Sequence, residues 1–231
     1  MIWYPPILNY HQIHPQPRSN TPTLAPHVFE QQMAILAHRW QPIALSNLMA
    51  WLEGKMSLPR RGVMVTFDDG TEETFTRAFP ILLKYRIPAT IFLIAANVGK
   101  PGTLSPDQIR QMQAKGIAFG SHTYSHAYLP SLSIAHVHQE LHKSKECLEK
   151  LGQPIEFLSY PAGGFTPEII NVVRELGYRA AFTTNRGLMH RPIDRWALRR
   201  ITMHTRGASP LGIWVRCSGY YGLNRRLRRP A

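Results

Sequence analysis

Short, mainly apolar runs alternate along the chain with longer stretches in which apolar residues return every three or four positions. The mainly apolar runs at 63–67, 89–94, 117–120, 157–159 and 180–183 have strand length and are bounded by glycine, proline or polar clusters, and Leu198 to Ile201 is expected to be the last strand. An opening run, Ile7-Leu8-Asn9-Tyr10-His11-Gln12-Ile13, reads as a further strand that delivers a histidine near its end. Between the strands, residues 26–38 carry Val28, Phe29, Met33, Leu36 and Ala37 at helical spacing behind Pro26, a residue suited to a first turn. Ser46 is placed to cap a second, short helix bearing Leu48, Met49 and Leu52. Further helices are expected through Phe75, Phe79, Leu82 and Leu83, and over 106–114, 134–151 and 167–176. This alternation predicts an α/β fold built from βαβ units on a mostly parallel sheet, with room for about seven units. In such folds ligands bind at the C-terminal ends of the strands, and the polar clusters of this chain fall at those ends.

Composition narrows the possibilities. At 231 residues, with 44% hydrophobic and 18% charged residues, the chain suits one core over 1–231, and no fixed-period repeat marks a solenoid. Its apolar stretches are far shorter than the roughly 20 residues a membrane-crossing helix needs. Pro5 and Pro6 interrupt the start, which has no basic segment leading into an apolar one, so the expected location is the cytoplasm. Cys147 and Cys217 cannot form a disulfide framework and read as ordinary thiols. The net charge of +13 is uneven: after Glu175 the single acid is Asp194, against a series of arginines ending in Arg225, Arg226, Arg228 and Arg229. That basic tail, about 216–231, points to an anionic contact, with an anionic membrane surface preferred over nucleic acid because no nucleic-acid-binding module is present.

Three clusters carry chemistry. Thr66-Phe67-Asp68-Asp69-Gly70 closes a strand with adjacent carboxylates, which cannot point the same way from an extended backbone; one can bind a metal while the other handles a proton. Ser121-His122-Thr123-Tyr124-Ser125-His126 sets two histidines four apart, able to converge on one ion if the segment turns helically. The similar pair His138 and His142 lies within a long helix beside Glu140 and reads as solvated surface. One aspartate with two histidines leaves coordination open for water, as a catalytic zinc site requires. Ser159-Tyr160-Pro161-Ala162-Gly163-Gly164 runs a strand into a tight turn that can present a backbone N–H to an oxyanion.

TFDDG, HTYSH and SYPAGG in this order and at these spacings resemble the polysaccharide deacetylases of carbohydrate esterase family 4. Stretches such as FPILLKYRIPATIFLI and ELGYRAAFTTNRG extend the similarity over nearly the whole chain. The resemblance implies a distorted (β/α)7-type barrel and a divalent metal, most often Zn2+, with Co2+, Ni2+ and Mn2+ as alternatives. It implies Asp69, His122 and His126 as metal ligands, Asp68 as catalytic base and the backbone N–H of Ala162 as an oxyanion donor. The implied activity is removal of N-acetyl groups from N-acetylglucosamine-type sugars in a glycan. Two other readings are a deacylase of lipid-linked or small N-acyl sugars at the cytoplasmic membrane face and a non-catalytic glycan-binding relative.

Two departures from the family pattern matter. Many members have an arginine, which orients the catalytic base, where this chain has Ser159; Arg200 is the candidate substitute. The reaction also needs an acid for the departing amine. His204 follows Trp196 too closely to leave room for the helix that normally precedes this residue. The poly-N-acetylglucosamine deacetylase branch is circularly permuted and begins with a strand ending in Tyr-His, which Leu8-Asn9-Tyr10-His11 matches, so His11 is the expected acid.

Overall fold

The apolar runs at 63–67, 89–94, 117–120, 157–159 and 180–183 each become a parallel strand. The computed structural model describes residues 4–16, 21–185, 193–203 and 210–217. The strands that line the barrel are β1 (Ile7–Tyr10), β2 (Gly62–Phe67), β3 (Ala89–Leu93), β4 (Ala118–Ser121), β5 (Phe157–Ser159), β6 (Ala180–Thr183), β7 (Leu198–Arg199) and β8 (Ile201–Thr202). They pair in parallel from β7 through β6, β5, β4, β3 and β2 to β1, and then to β8.

The two ends of that path are one stretch of chain. Leu198 and Arg199 pair with Phe182 and Thr183, whereas Ile201 and Thr202 pair with Leu8 and Asn9. The expected last strand therefore splits, bending from one neighbour to the other at Arg200 and nearly closing a barrel. The expected strand over 7–13 is also interrupted: Gln12–Ile13 leaves β1 to pair with Thr23–Leu24, and His11 stands at the break.

Seven helices accompany the strands among the described residues: α1 (Pro26–Arg39), α2 (Leu45–Leu52), α3 (Phe79–Lys84), α4 (Pro106–Ala114), α5 (Ile134–Glu149), α6 (Pro167–Glu175) and α7 (Pro210–Cys217). Ser105, Ser133 and Thr166 cap α4, α5 and α6 by accepting backbone N–H groups otherwise left without partners. Ser46 does not cap α2. That helix starts two residues earlier than such a cap would set, at Leu45, and the Asn47 side chain reaches back to accept the Ala44 N–H at 3.0 Å. The helix expected through Phe75 enters α3 through a π-helical turn, Thr74–Ala78.

Strand alternation divides the interior into two cores. Leu8, Tyr10, Val63, Val65, Phe67 and Ile91 pack outward with Phe29, Met33 and Leu36 of α1 and with residues of α3–α6. Ile7, Met64, Phe92, Ala180, Phe182 and Leu198 meet in a second cluster, which Leu48 and Met49 of α2 join. Gly120 belongs to this layer by necessity: a Cβ there would lie 2.7 Å from the Phe92 ring and 2.9 Å from the Phe157 carbonyl oxygen. Two residues further along the same strand faces come Asn9, Thr66 and Arg200, all buried, with Ser159 beside them. The strand alternation thus places a polar stratum beyond the apolar one, toward the C-terminal ends of the strands.

Candidate active site

The adjacent carboxylates face different partners because the backbone turns between them. Asp68 is buried, while Asp69 takes a left-handed conformation at φ 72° and Gly70 another at 66°. Asp68 receives three hydrogen bonds. Arg200 Nη1 donates to Oδ1 at 2.8 Å, Arg200 Nη2 to Oδ2 at 2.7 Å, and Asn9 Nδ2 to Oδ2 at 2.8 Å. Arg200 Nη2 also donates to Ser159 Oγ at 2.6 Å, and its guanidinium lies 5.3 Å from the centre of the Phe92 ring. Burial opposes ionisation of Asp68, but the charges of Arg200 and His122, the Arg200 hydrogen bonds and the charge of His11 outweigh it. Its carboxyl is held well below the usual carboxylate range, and Asp68 is ionised near neutral pH.

Asp69 Oδ1 lies 3.7 Å from Nε2 of His122 and 3.7 Å from Nε2 of His126. One ligand atom from each of the three residues lies within 4.8 Å of the others. At 3.7 Å these atoms are too far apart to hydrogen-bond to one another, so they surround a shared space. His122 Nδ1 donates to the Ser159 carbonyl oxygen at 2.8 Å, which leaves Nε2 as the lone-pair nitrogen of the neutral ring. Burial, partly offset by Asp68, lowers the His122 pKa to about 4, and burial lowers that of His126. Asp69 is shifted upward, chiefly by burial. Two neutral imidazoles and a carboxylate are a donor set that suits a divalent metal such as zinc.

The histidines do not converge through a helical turn. Thr123 and His126 both have φ of 65°, and the segment is a loop tied at each step. Thr123 N–H donates to Ser121 Oγ at 3.0 Å and His126 N–H to Thr123 Oγ1 at 3.0 Å. The Ser125 backbone N–H and hydroxyl both donate to Glu140 Oε1, the latter at 2.8 Å. Glu140, a residue of the supposedly solvated helix face, thus anchors the loop that carries His126.

His11 enters from the break after β1. Its Nε2 lies 3.9 Å from Asp68 Oδ2, the same distance that separates His122 Nε2 from that oxygen. Ala162 occupies the turn after β5 in a left-handed conformation at φ 51°, followed by Gly163 at 74°. Only glycine fits at 163, where a Cβ would meet Thr184 Oγ1 at 2.7 Å and its backbone nitrogen at 2.9 Å. His204 and Arg225, Arg226, Arg228 and Arg229 lie outside the described residues.

The site also contains residues that sequence reasoning passed over. Asn9 and Thr66 are fully buried within it, and the single hydroxyl proton of Thr66 is shared between Asn9 Oδ1 at 3.0 Å and the Leu8 carbonyl at 2.9 Å. The available signal was an asparagine breaking an otherwise apolar strand, a local violation that marks functional positions.

Comparison with known proteins agrees with this architecture. Residues 55–181, more than half of the chain, match the polysaccharide deacetylase family model. The Bacillus subtilis protein YxkH is 30% identical over 198 residues, which is 85% of this chain and 70% of that protein. A Staphylococcus aureus poly-beta-1,6-N-acetyl-D-glucosamine N-deacetylase is 28% identical over 67% of this chain, and the match spans 59% of its own length. Among solved structures, the Streptococcus pyogenes deacetylase PplD superposes with a TM-score of 0.85 at 26% identity, over 93% of this chain and 99% of that one. IcaB from Ammonifex degensii gives a TM-score of 0.79 at 25% identity, over 92% and 98%. The same barrel, recurring in a solved deacetylase, and a family match that contains both the double aspartate and the histidine pair lead to one assignment: this chain belongs to the polysaccharide deacetylase family.

Proposed function

We propose that the chain hydrolyses N-acetyl groups from N-acetylglucosamine-type sugars within a glycan, with the help of a divalent metal. The observation that carries this reading is the placing of one ionised carboxylate, Asp68, at equal distance from two histidine nitrogens beside a three-residue metal-ligand set. The names of the staphylococcal relative and of PplD support the same chemistry.

Asp69, His122 and His126 would hold the metal, with zinc the first choice for this donor set. Bound there, a metal supplies Lewis acidity, polarising an amide carbonyl and making a water acidic near neutrality. Asp68 accepts the proton of the attacking water at Oδ2, the oxygen that faces His11 and His122. Arg200, itself bonded to Ser159, keeps that carboxylate fixed and ionised until it takes the proton. The Ala162 N–H donates to the oxygen that gains negative charge as water adds to the carbonyl. His11, protonated at Nε2, gives its proton to the sugar nitrogen as the carbon–nitrogen bond breaks, releasing acetate and a free amine. A histidine entering from the first strand also supports a permuted chain order relative to members that supply it from the C-terminal end.

Arg200 weakens the case for a binding-only relative, because the arginine missing at 159 is replaced in space. One observation favours contact with an anionic membrane: α7 exposes Leu211 and Trp214, 70% and 58% accessible, just before the arginine-rich end of the chain. Co-sedimentation with anionic but not neutral vesicles is the expected result.

The function itself is tested by acetate release from zinc-loaded protein given β-1,6- and β-1,4-linked N-acetylglucosamine oligomers and lipid-linked N-acetyl sugars. Release from an oligomer supports the glycan reading, release from the lipid-linked sugar alone replaces it, and sugar binding without acetate release overturns both.

A further inference from the structure

We propose that Asn9 is a positioning residue of this site: its amide fixes the orientation of the Asp68 carboxylate and couples it to Arg200. The inference rests on the reading of Asp68 as the proton acceptor.

Asn9 sits on an inward-facing position of β1, paired in register with Thr66 on one side and Thr202 on the other, and it is fully buried. An unbonded amide there would carry the full desolvation penalty of each unsatisfied group. Instead both ends are engaged. Oδ1 accepts from Thr66 Oγ1 at 3.0 Å and from Arg200 Nη1 at 2.9 Å, while Nδ2 donates to Asp68 Oδ2 at 2.8 Å.

The direction of the amide is fixed by chemistry. A guanidinium can only donate and an ionised carboxylate can only accept, so the oxygen must face Arg200 and the nitrogen Asp68. Position 9 therefore needs a side chain of this size with an acceptor at one end and a donor at the other. Aspartate would press a second carboxylate against Asp68. Leucine would fill the space but leave Asp68 Oδ2, Thr66 and Arg200 each short of a partner.

The bonded oxygen is the one that matters for the reaction. Oδ2, not Oδ1, lies 3.9 Å from Nε2 of both His11 and His122. Arg200 grips both carboxylate oxygens, and Asn9 adds a third bond, to the oxygen facing the histidines. Asn9 also joins the strand that delivers His11 to the strand that ends in Asp68, so it holds acid and base in one frame.

The test compares Asn9→Asp, Asn9→Leu and Asn9→Ser with the wild-type chain, using an N-acetylglucosamine oligomer as probe, zinc content per chain as a second readout and crystal structures as a third. In Asn9→Asp and Asn9→Leu, kcat is expected to fall by about 10- to 100-fold, with KM within about twofold and zinc content unchanged. The Asp68 carboxylate should be rotated in their crystal structures. Asn9→Ser, which keeps a small donor, should recover part of the lost kcat. Wild-type kcat in folded, zinc-loaded Asn9→Leu would overturn the inference, as would failure of all three variants to fold, the mark of a purely structural residue. If the wild-type chain itself released no acetate, the reaction reading would fail separately, and an unmoved Asp68 in the Asn9→Leu crystal structure would still overturn the positioning role.

Discussion

Arg200 holds both oxygens of Asp68, at 2.8 Å and 2.7 Å, from the point where the last strand bends between its two neighbours. The residue that nearly closes the barrel is thus the residue that orients the carboxylate at its mouth. Ser159 completes the arrangement by accepting from the same guanidinium, which leaves position 159 with no need of an arginine of its own.

Removing that grip should be costly for both stability and turnover. Arg200→Ala leaves a buried carboxylate unpaired, so unfolding free energy from denaturant titration of the metal-free protein should drop by about 3–5 kcal/mol. The loss should shrink on acidification. Asp68 has a lowered pKa in the folded chain, so its contribution is complete above the ordinary carboxylate range and declines progressively as pH falls from there toward the lowered folded pKa. Arg200→Lys keeps the charge but not the two-pronged geometry, and should lose more activity than stability.

Metal affinity should rise with pH. The His122 pKa is lowered to about 4, so this ring competes for protons only in strong acid. Asp69 is shifted upward by burial and by Asp68, so its proton is the one displaced in mildly acidic solution. Zinc binding at about pH 5 should be weaker than at about pH 7.5, with proton release on binding. Equal affinity and no proton release would show that Asp69 is not a ligand.

His11→Gln should retain zinc and bind substrate normally while kcat on an N-acetyl sugar falls by roughly 10²–10⁴. An activated aryl acetate, whose leaving group needs no proton, should be hydrolysed at close to the wild-type rate. Parallel loss on both substrates would remove His11 from the acid role.

Gly120→Ala tests the packing beneath the site. The added methyl meets the Phe92 ring and a backbone carbonyl, a clash expected to cost about 1–3 kcal/mol in unfolding free energy. A neutral effect would mean that the apolar layer supporting Arg200 yields more easily than its contacts imply.

Strand positions and the ordered motifs were legible because burial demands apolar runs and because strand ends collect the polar residues. What the sequence could not show was geometry set by single backbone angles and long-range closure. The separation of Asp68 from Asp69 depends on a left-handed residue, and the convergence of His122 with His126 depends on two more. Glu140 looked solvated because nothing local reveals that a loop 15 residues earlier folds back onto it. Asn9 was visible as an oddity in an apolar strand, but its partners come from residues 57, 59 and 191 positions away.

The central claim is that Asp68 accepts the proton while Asp69, His122 and His126 hold the metal. Acetate release by zinc-loaded Asp68→Asn, with zinc content measured on the same sample, separates these roles. The account predicts zinc bound as in the wild-type chain and acetate release lower by about 10²–10⁴. Wild-type acetate release from that variant, or loss of its zinc, would contradict it.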